Sequence, residues 1–99
     1  LEQAVQAVTS RPADICRIAN RGRIVPGHQA DLMLFDPATV GRGPRRRVTD
    51  LPGGNSRVDT PAVGLHGVWV NGTRVVDHNG LISDCGTPGH LLREFTGTA

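Results

Sequence analysis

Lysine and tyrosine are absent from these 99 residues, and the aromatic side chains amount to one Trp and two Phe. Every basic side chain is therefore Arg, and the balance against nine carboxylates leaves a net charge of +2. So few large rings leave little with which to fill a core. No apolar run approaches the length of a bilayer span, and no order of charged, apolar and small residues at Leu1 marks a secretory signal. Neither a membrane partner nor export is expected, and the setting is read as cytoplasmic and reducing. Cys16 and Cys85 lie far apart with no second cysteine near either, which excludes a CxxC redox motif and a paired zinc knuckle. Cys16, between Ile15 and Ile18, is expected to be buried, and Cys85, in a Gly-rich stretch, to be exposed.

Arg42, Arg45, Arg46 and Arg47 gather among Gly41, Gly43 and Pro44, but no aromatic residue lies between Phe35 and Trp69 to stack on a base, so the cluster reads as a solvated loop and no nucleic-acid partner is expected. Leu, Ile, Val and Phe number 25, and with so low a net charge the chain does not meet the criteria for disorder. Gly and Pro number 13 and 7, so much of the fold must be turns. A single small domain of this length removes roughly 60–65% of its unfolded surface from water.

Leu1, Ala4, Val5 and Val8 recur at helical spacing. Ser10 before Arg11-Pro12 suits an N-cap with proline in the first turn, which predicts a second helix from Pro12 to about Ile18, ending near Asn20 and Gly22. From Arg21 to Pro37 the chain passes from helix to sheet: strands are predicted at Arg23 to Val25 and Ala30 to Phe35, around the Pro26-Gly27 turn. Residues 37–63 read as one long loop, a length uncommon without a role or a surface to pack on. Asn71-Gly72 between two β-prone runs predicts a type I′ hairpin over residues 67–77, with Val68 and Val70 on one face and Trp69 on the other. A second turn at Asn79-Gly80 stops the returning strand. Leu91, Leu92 and Phe95 are read as a last helical turn or strand.

The chemistry is sparse. His28, His66, His78 and His90 never form HxH or HExxH, and His28 and His78, both beside turns, are expected to face water. Ser10, Ser56 and Ser83 lack a nucleophile elbow, and no Gly-rich turn joins a strand to a helix as phosphate binding requires. No catalytic residue and no metal ligand is assigned. Asp50 and Arg57, flanking the Pro52-Gly-Gly54 turn, are the only candidates for contact with a substrate.

The run Leu1-Glu-Gln-Ala-Val5, then Thr9-Ser-Arg-Pro-Ala13, Arg21-Gly-Arg-Ile-Val-Pro-Gly27, Ala30-Asp-Leu32, Phe35-Asp-Pro37 and Val70-Asn-Gly72 resembles the C-terminal end of the amidohydrolase superfamily. Asp50-Leu-Pro-Gly-Gly54 with Arg57 is most similar to the N-acyl-D-amino-acid deacylases, the D-aminoacylase group. The chain departs from the family pattern at residues 14–20, where a Leu-Gly-Leu type sequence is common.

The resemblance implies a parent enzyme with a metal-dependent (β/α)₈ barrel that hydrolyses an amide through a metal-activated water, and a small β-sandwich built from both chain ends. The divalent metal, zinc by expectation, and its ligands would lie upstream of Leu1. The expected fold is α+β: helices over residues 1–20 following the barrel, then a small, mostly antiparallel β segment over residues 21–99. The expected partners are the missing N-terminal and barrel portions, or a second copy through exposed strand edges. An independent β-rich binding or dimerisation module is the alternative, and a small metal protein a third reading.

Overall fold

The computed structural model describes residues 1–97 and is α+β, with two short helices followed by strands that pair only in antiparallel fashion. Helix α1 (Glu2–Val8) follows the predicted period. Helix α2 is Ser10–Ile15, shorter than Pro12 to Ile18 and begun earlier. Thr9 rather than Ser10 holds the cap position, and its hydroxyl donates back to the Val5 carbonyl at 2.6 Å, so neither helix start has a side-chain cap. Arg17, at φ 58, and Asn20, at φ 62, leave the helical region and end the segment.

The predicted strand at Arg23 to Val25 does not form. Asn20, Gly22 and Gly27 all have positive φ, which folds the segment into turns, and Arg23 reaches back to Asp14 with a two-pronged pair at 2.8 and 2.6 Å. Gly22 is needed there, because a Cβ at its position would lie 2.8 Å from the Ala13 methyl. Strand β1 is Leu32–Phe35, two residues shorter at its start than predicted. Ala30 and Asp31 serve the hairpin turn instead: the Ala30 carbonyl accepts from Gly72 N–H at 3.0 Å, and the Asp31 carboxylate from Asn71 N–H at 2.9 Å.

Residues 37–63 contain paired structure that the Gly- and Pro-rich composition hides. β2 (Gly41–Arg42) pairs with β5 (Ala62–Val63), and β3 (Arg46–Val48) pairs with β4 (Arg57–Asp59) inside it. Together they make one two-stranded arm with a single 3-10 turn, Pro52–Gly54, at its tip. At its base the backbones of Val40 and Gly64 approach so closely that a Cβ on Gly64 would lie 2.5 Å from the Val40 Cα.

β6 (Leu65–Val70) is the centre of the main sheet, with β1 on one side and β7 (Thr73–Asp77) on the other. The type I′ hairpin forms as predicted, Asn71 and Gly72 holding φ 49 and 82. The turn after Asp77 does end β7, and it starts a further edge strand, β8 (Gly80–Leu81). Trp69 stands opposite Leu32 and Arg74, with the Arg74 guanidinium 5.1 Å from its ring centre. Its indole lies over Gly67, which is buried beneath it. Residues 91–95 form neither helix nor strand. The chain instead returns to the turn after α2, where Gly97 N–H donates to the Arg17 carbonyl at 2.8 Å and Arg17 Nε to the Gly97 carbonyl at 3.1 Å.

Ala13 is the one buried apolar side chain among the described residues. Ile15 is 73% exposed and Cys16 is exposed, against the expectation of burial, because α2 turns Ala13 inward and stops before Cys16. Cys85, expected to be exposed, is half-buried. Met33 and Leu34, successive residues of β1, are 56% and 54% exposed, so apolar side chains on both faces of the sheet meet water. The accessible surface is 7687 Å², against roughly 5,400 Å² for a compact chain of this mass. The radius of gyration is 16.0 Å, against about 13 Å for a compact chain of this length. No helix among the described residues is long and apolar enough to cross a membrane.

Candidate functional site

Asp50 and Arg57 lie on either side of the arm's tip, at the end of the β3–β4 ladder. The ladder carries them together: Arg57 Nε donates to Asp50 Oδ1 at 2.9 Å and Nη2 to Oδ2 at 2.8 Å, a fork-to-fork pair. The turn between them depends on two glycines, Gly53 and Gly54, both at φ 73, and on Asn55, whose amide donates to the Pro52 carbonyl at 3.0 Å. The hydrogen bonds and charge of Arg57 hold the Asp50 carboxyl below the usual carboxylate range, and Asp50 in return raises Arg57. Each is about half exposed, so solvent screens the pair and its chief effect is to fix the tip's geometry.

Two further arginines brace the same arm. Arg46 pairs across the strands with Asp59 at 2.9 Å, and Arg47 donates to the Ser56 hydroxyl at 3.1 Å. Alternation puts Arg46, Asp59, Val48 and Arg57 on one face and Arg47 and Val58 on the other. Of the cluster that composition suggests is a solvated loop, all four arginines are exposed, but Arg42, Arg46 and Arg47 stand on the strands of a β ribbon and only Arg45 lies between its ladders.

A second polar cluster joins parts of the chain that sequence reasoning left separate. Arg21 spans the Asp31 carboxylate and the Asn71 side-chain oxygen, the latter at 2.9 Å, while the Asn71 amide donates to the Pro88 carbonyl at 2.7 Å. Arg21, Asp31 and Asn71 fall in three of the motifs quoted above, and their occurrence there was the available signal. Their role is positional: they fasten the helical segment, β1, the hairpin turn and the later loop to one another.

Among the described residues no three His, Cys, Asp or Glu side chains stand together as a metal-binding group. His66, His78 and His90 are exposed, His78 as expected. His28 differs from expectation, since its ring is partly covered and its Nδ1 is shielded from solvent without a hydrogen-bond partner among the described residues. An apolar groove runs between α1 and the turn segment, lined by Leu1, Val5, Ile24 and Val25.

The profile of the amidohydrolase family matches residues 1–76. An N-acyl-D-aspartate deacylase of Alcaligenes xylosoxydans xylosoxydans is 35% identical over 92 residues, covering 93% of this chain and 16% of that protein. A D-aminoacylase of the same organism is 36% identical over 80 residues, covering 76% of this chain and 14% of that protein. The chain therefore spans about one sixth of the length of these curated relatives. No solved structure matches. With the family profile extending from the first helix through the hairpin and into β7, the chain belongs to the amidohydrolase family.

Proposed function

We propose that these residues are the closing segment of a metal-dependent enzyme that hydrolyses the amide bond of N-acyl-D-amino acids, and that the segment is structural and carries no catalytic group. The observation that carries this reading is the family match over residues 1–76 in a chain that amounts to 16% and 14% of its deacylase relatives. The uncovered surface supports it. The excess over a compact chain is roughly 2,300 Å², well beyond the ~800 Å² per partner of a standard protein–protein contact. A covering body of domain size suits that figure better than a self-sufficient binding module does. In this reading residues 1–20 follow the barrel and residues 21–99 belong to its companion β unit.

The metal, zinc in this proposal, is expected on the part of the enzyme outside these residues. The described residues hold no group of three candidate donors, and neither a ligand nor a step of hydrolysis is assigned to this chain. Asp50 and Arg57 at the arm's tip are proposed to border the substrate entrance, where a rigid, self-neutralised pair contributes shape and hydrogen-bonding edges.

The test is hydrolysis of N-acetyl-D-amino acids and their L-enantiomers by the full-length protein with and without chelator, beside the 99-residue chain alone. Chelator-sensitive D-selective hydrolysis by the full-length protein only is expected. Turnover by the short chain, or none by the full-length protein toward any N-acyl-amino acid, overturns the proposal. For the arm's tip, the readout is KM across the acyl-amino acid series after Arg57→Ala, and an unchanged series removes the pair from the substrate path.

A further inference from the structure

The arm is positively charged, and its strands pair only with each other. Residues 41–63 carry five Arg and two Asp, a net +3, whereas the rest of the chain carries six Arg and seven carboxylates, a net −1. Within the arm, Arg46 and Arg57 are neutralised by Asp59 and Asp50, and Arg47 meets only a hydroxyl. Arg42 and Arg45 have no carboxylate within 4 Å among the described residues, and with Gly43 and Pro44 they line one concave bend.

That bend sits where the register slips. Arg42 stands opposite Ala62 and Arg46 opposite Asp59, so the strand bearing Arg45 has one residue more than its partner between the two ladders. A bulge of this kind re-aims side chains. Neither ladder packs to any extent on a helix or on the main sheet; Arg46, Pro61 and Ala62 face Leu65 and Val76 only across an open cleft. Leu51, Val58 and Val63 are left 44%, 54% and 42% exposed. A two-stranded ribbon is marginal in water without a surface to lie on. Uncompensated guanidiniums beside exposed aliphatic side chains fit a surface that is acidic with apolar ground between the acids.

We propose that the arm docks, through Arg42, Arg45 and Arg47, on an acidic polypeptide surface of the enzyme outside residues 1–99. The inference rests on the reading above that such an enzyme surrounds this segment. A second copy of the chain is the poorer occupant: outside the arm it offers a net charge of only −1, and Asp14 and Asp31 already hold Arg23 and Arg21. Nucleic acid is poorer still, since no aromatic residue between Phe35 and Trp69 is present to stack on a base.

The test is hydrogen exchange at the backbone amides of Arg46–Val48 and Arg57–Asp59 in the full-length protein. Wild type is compared with a triple variant carrying Arg42→Glu, Arg45→Glu and Arg47→Glu, and with its charge-keeping counterpart Arg42→Lys, Arg45→Lys and Arg47→Lys. At about 50 mM salt the arm amides of wild type and the Lys variant exchange at least tenfold more slowly than those of the Glu variant. The gap narrows at about 500 mM, where the Debye length is under about 5 Å. Amides of β6 and β7 stay unchanged throughout, which separates undocking from unfolding. Equal arm exchange in wild type and the Glu variant overturns the proposal, as does protection that appears only on adding RNA, anionic vesicles or a higher concentration of the protein itself. Deacylase activity measured on the same samples separates the two readings. An active enzyme with an unprotected arm removes the docking alone, and an inactive protein with a salt-sensitive, protected arm removes the assigned reaction alone.

Discussion

Gly67→Ala tests the packing of the main sheet most directly, because the expected sign opposes the ordinary one. In an open strand, replacing Gly by Ala raises stability by about 0.5–1 kcal/mol, since Gly loses more backbone entropy on folding. At Gly67 the new Cβ would sit 2.5 Å from Trp69 Cη2 and 2.7 Å from Cζ3, with Arg74 Nη2 at 3.2 Å. Carbon contacts settle at about 3.5–4.0 Å, so the rigid indole must move by about 1 Å or swing off the strand. Either response loosens the stacked Arg74 guanidinium, an interaction of about 0.5–1 kcal/mol at an exposed site. Overpacking of this kind costs about 1–3 kcal/mol, which exceeds the entropic gain and makes the net effect destabilising. For a unit of this size each kcal/mol lowers Tm by about 4–8 °C. Trp69 is the single Trp of these 99 residues, so its emission reports the same event in the isolated chain: a red shift beside a lower Tm. An Ala variant with unshifted emission and an equal or higher Tm would show that the ring does not lie on Gly67.

Asn71→Ala removes the acceptor for Arg21 and the donor to Pro88 at a residue with φ 49, and is expected to cost about 2 kcal/mol or more; Asn71→Gly keeps the turn and loses only the side-chain bonds, so chemical denaturation should rank it between Ala and wild type. Gly22→Ala places a methyl 2.8 Å from the Ala13 Cβ at φ +89, and circular dichroism should show loss of α2 before loss of the hairpin. Asp50 has a folded-state value depressed by Arg57, so its contribution is complete above the ordinary carboxylate range and is lost as the pH falls through the lowered value, below about pH 4. Carboxyl NMR titration should show that depression and its return to the ordinary value in Arg57→Ala. Maleimide should label Cys16 without denaturant and faster than Cys85, and the reverse order would contradict the exposure described for α2.

What the sequence disclosed was local. The Asn71-Gly72 hairpin is specified by two adjacent residues that tolerate positive φ, and α1 by a period contained within eight residues. What it withheld depends on partners distant in the chain. Val48, Val58 and Val63 look like isolated residues in a loop until Arg46 meets Asp59, thirteen positions away, and the ladder between them becomes visible. Arg23 to Val25 has the composition of a strand but finds no strand to pair with, and backbone pairing decides such a segment. Periodicity assigned Ile15 and Cys16 to an inward face; it could not say whether anything covers that face. Asp50 and Arg57 were legible as polar residues around a turn, whereas their mutual engagement follows from the register of β3 and β4. The Arg21, Asp31 and Asn71 cluster draws on residues up to fifty apart and left no local trace beyond its three motifs.

The same cluster bears on how this segment can change over evolutionary time. β1 and β6 pair across the connection at 36–64, and Asp31 and Asn71 fasten the far end of that pairing outside it. The sheet is thus held by residues that the connection does not contain. Closing a flexible connection twice as long would cost only about 0.6 kcal/mol more. Insertions and deletions within the arm can therefore accumulate while the sheet keeps its register, so length variation among descendants of this gene should concentrate between Asp36 and Gly64 and be rare around Arg21, Asp31 and Asn71.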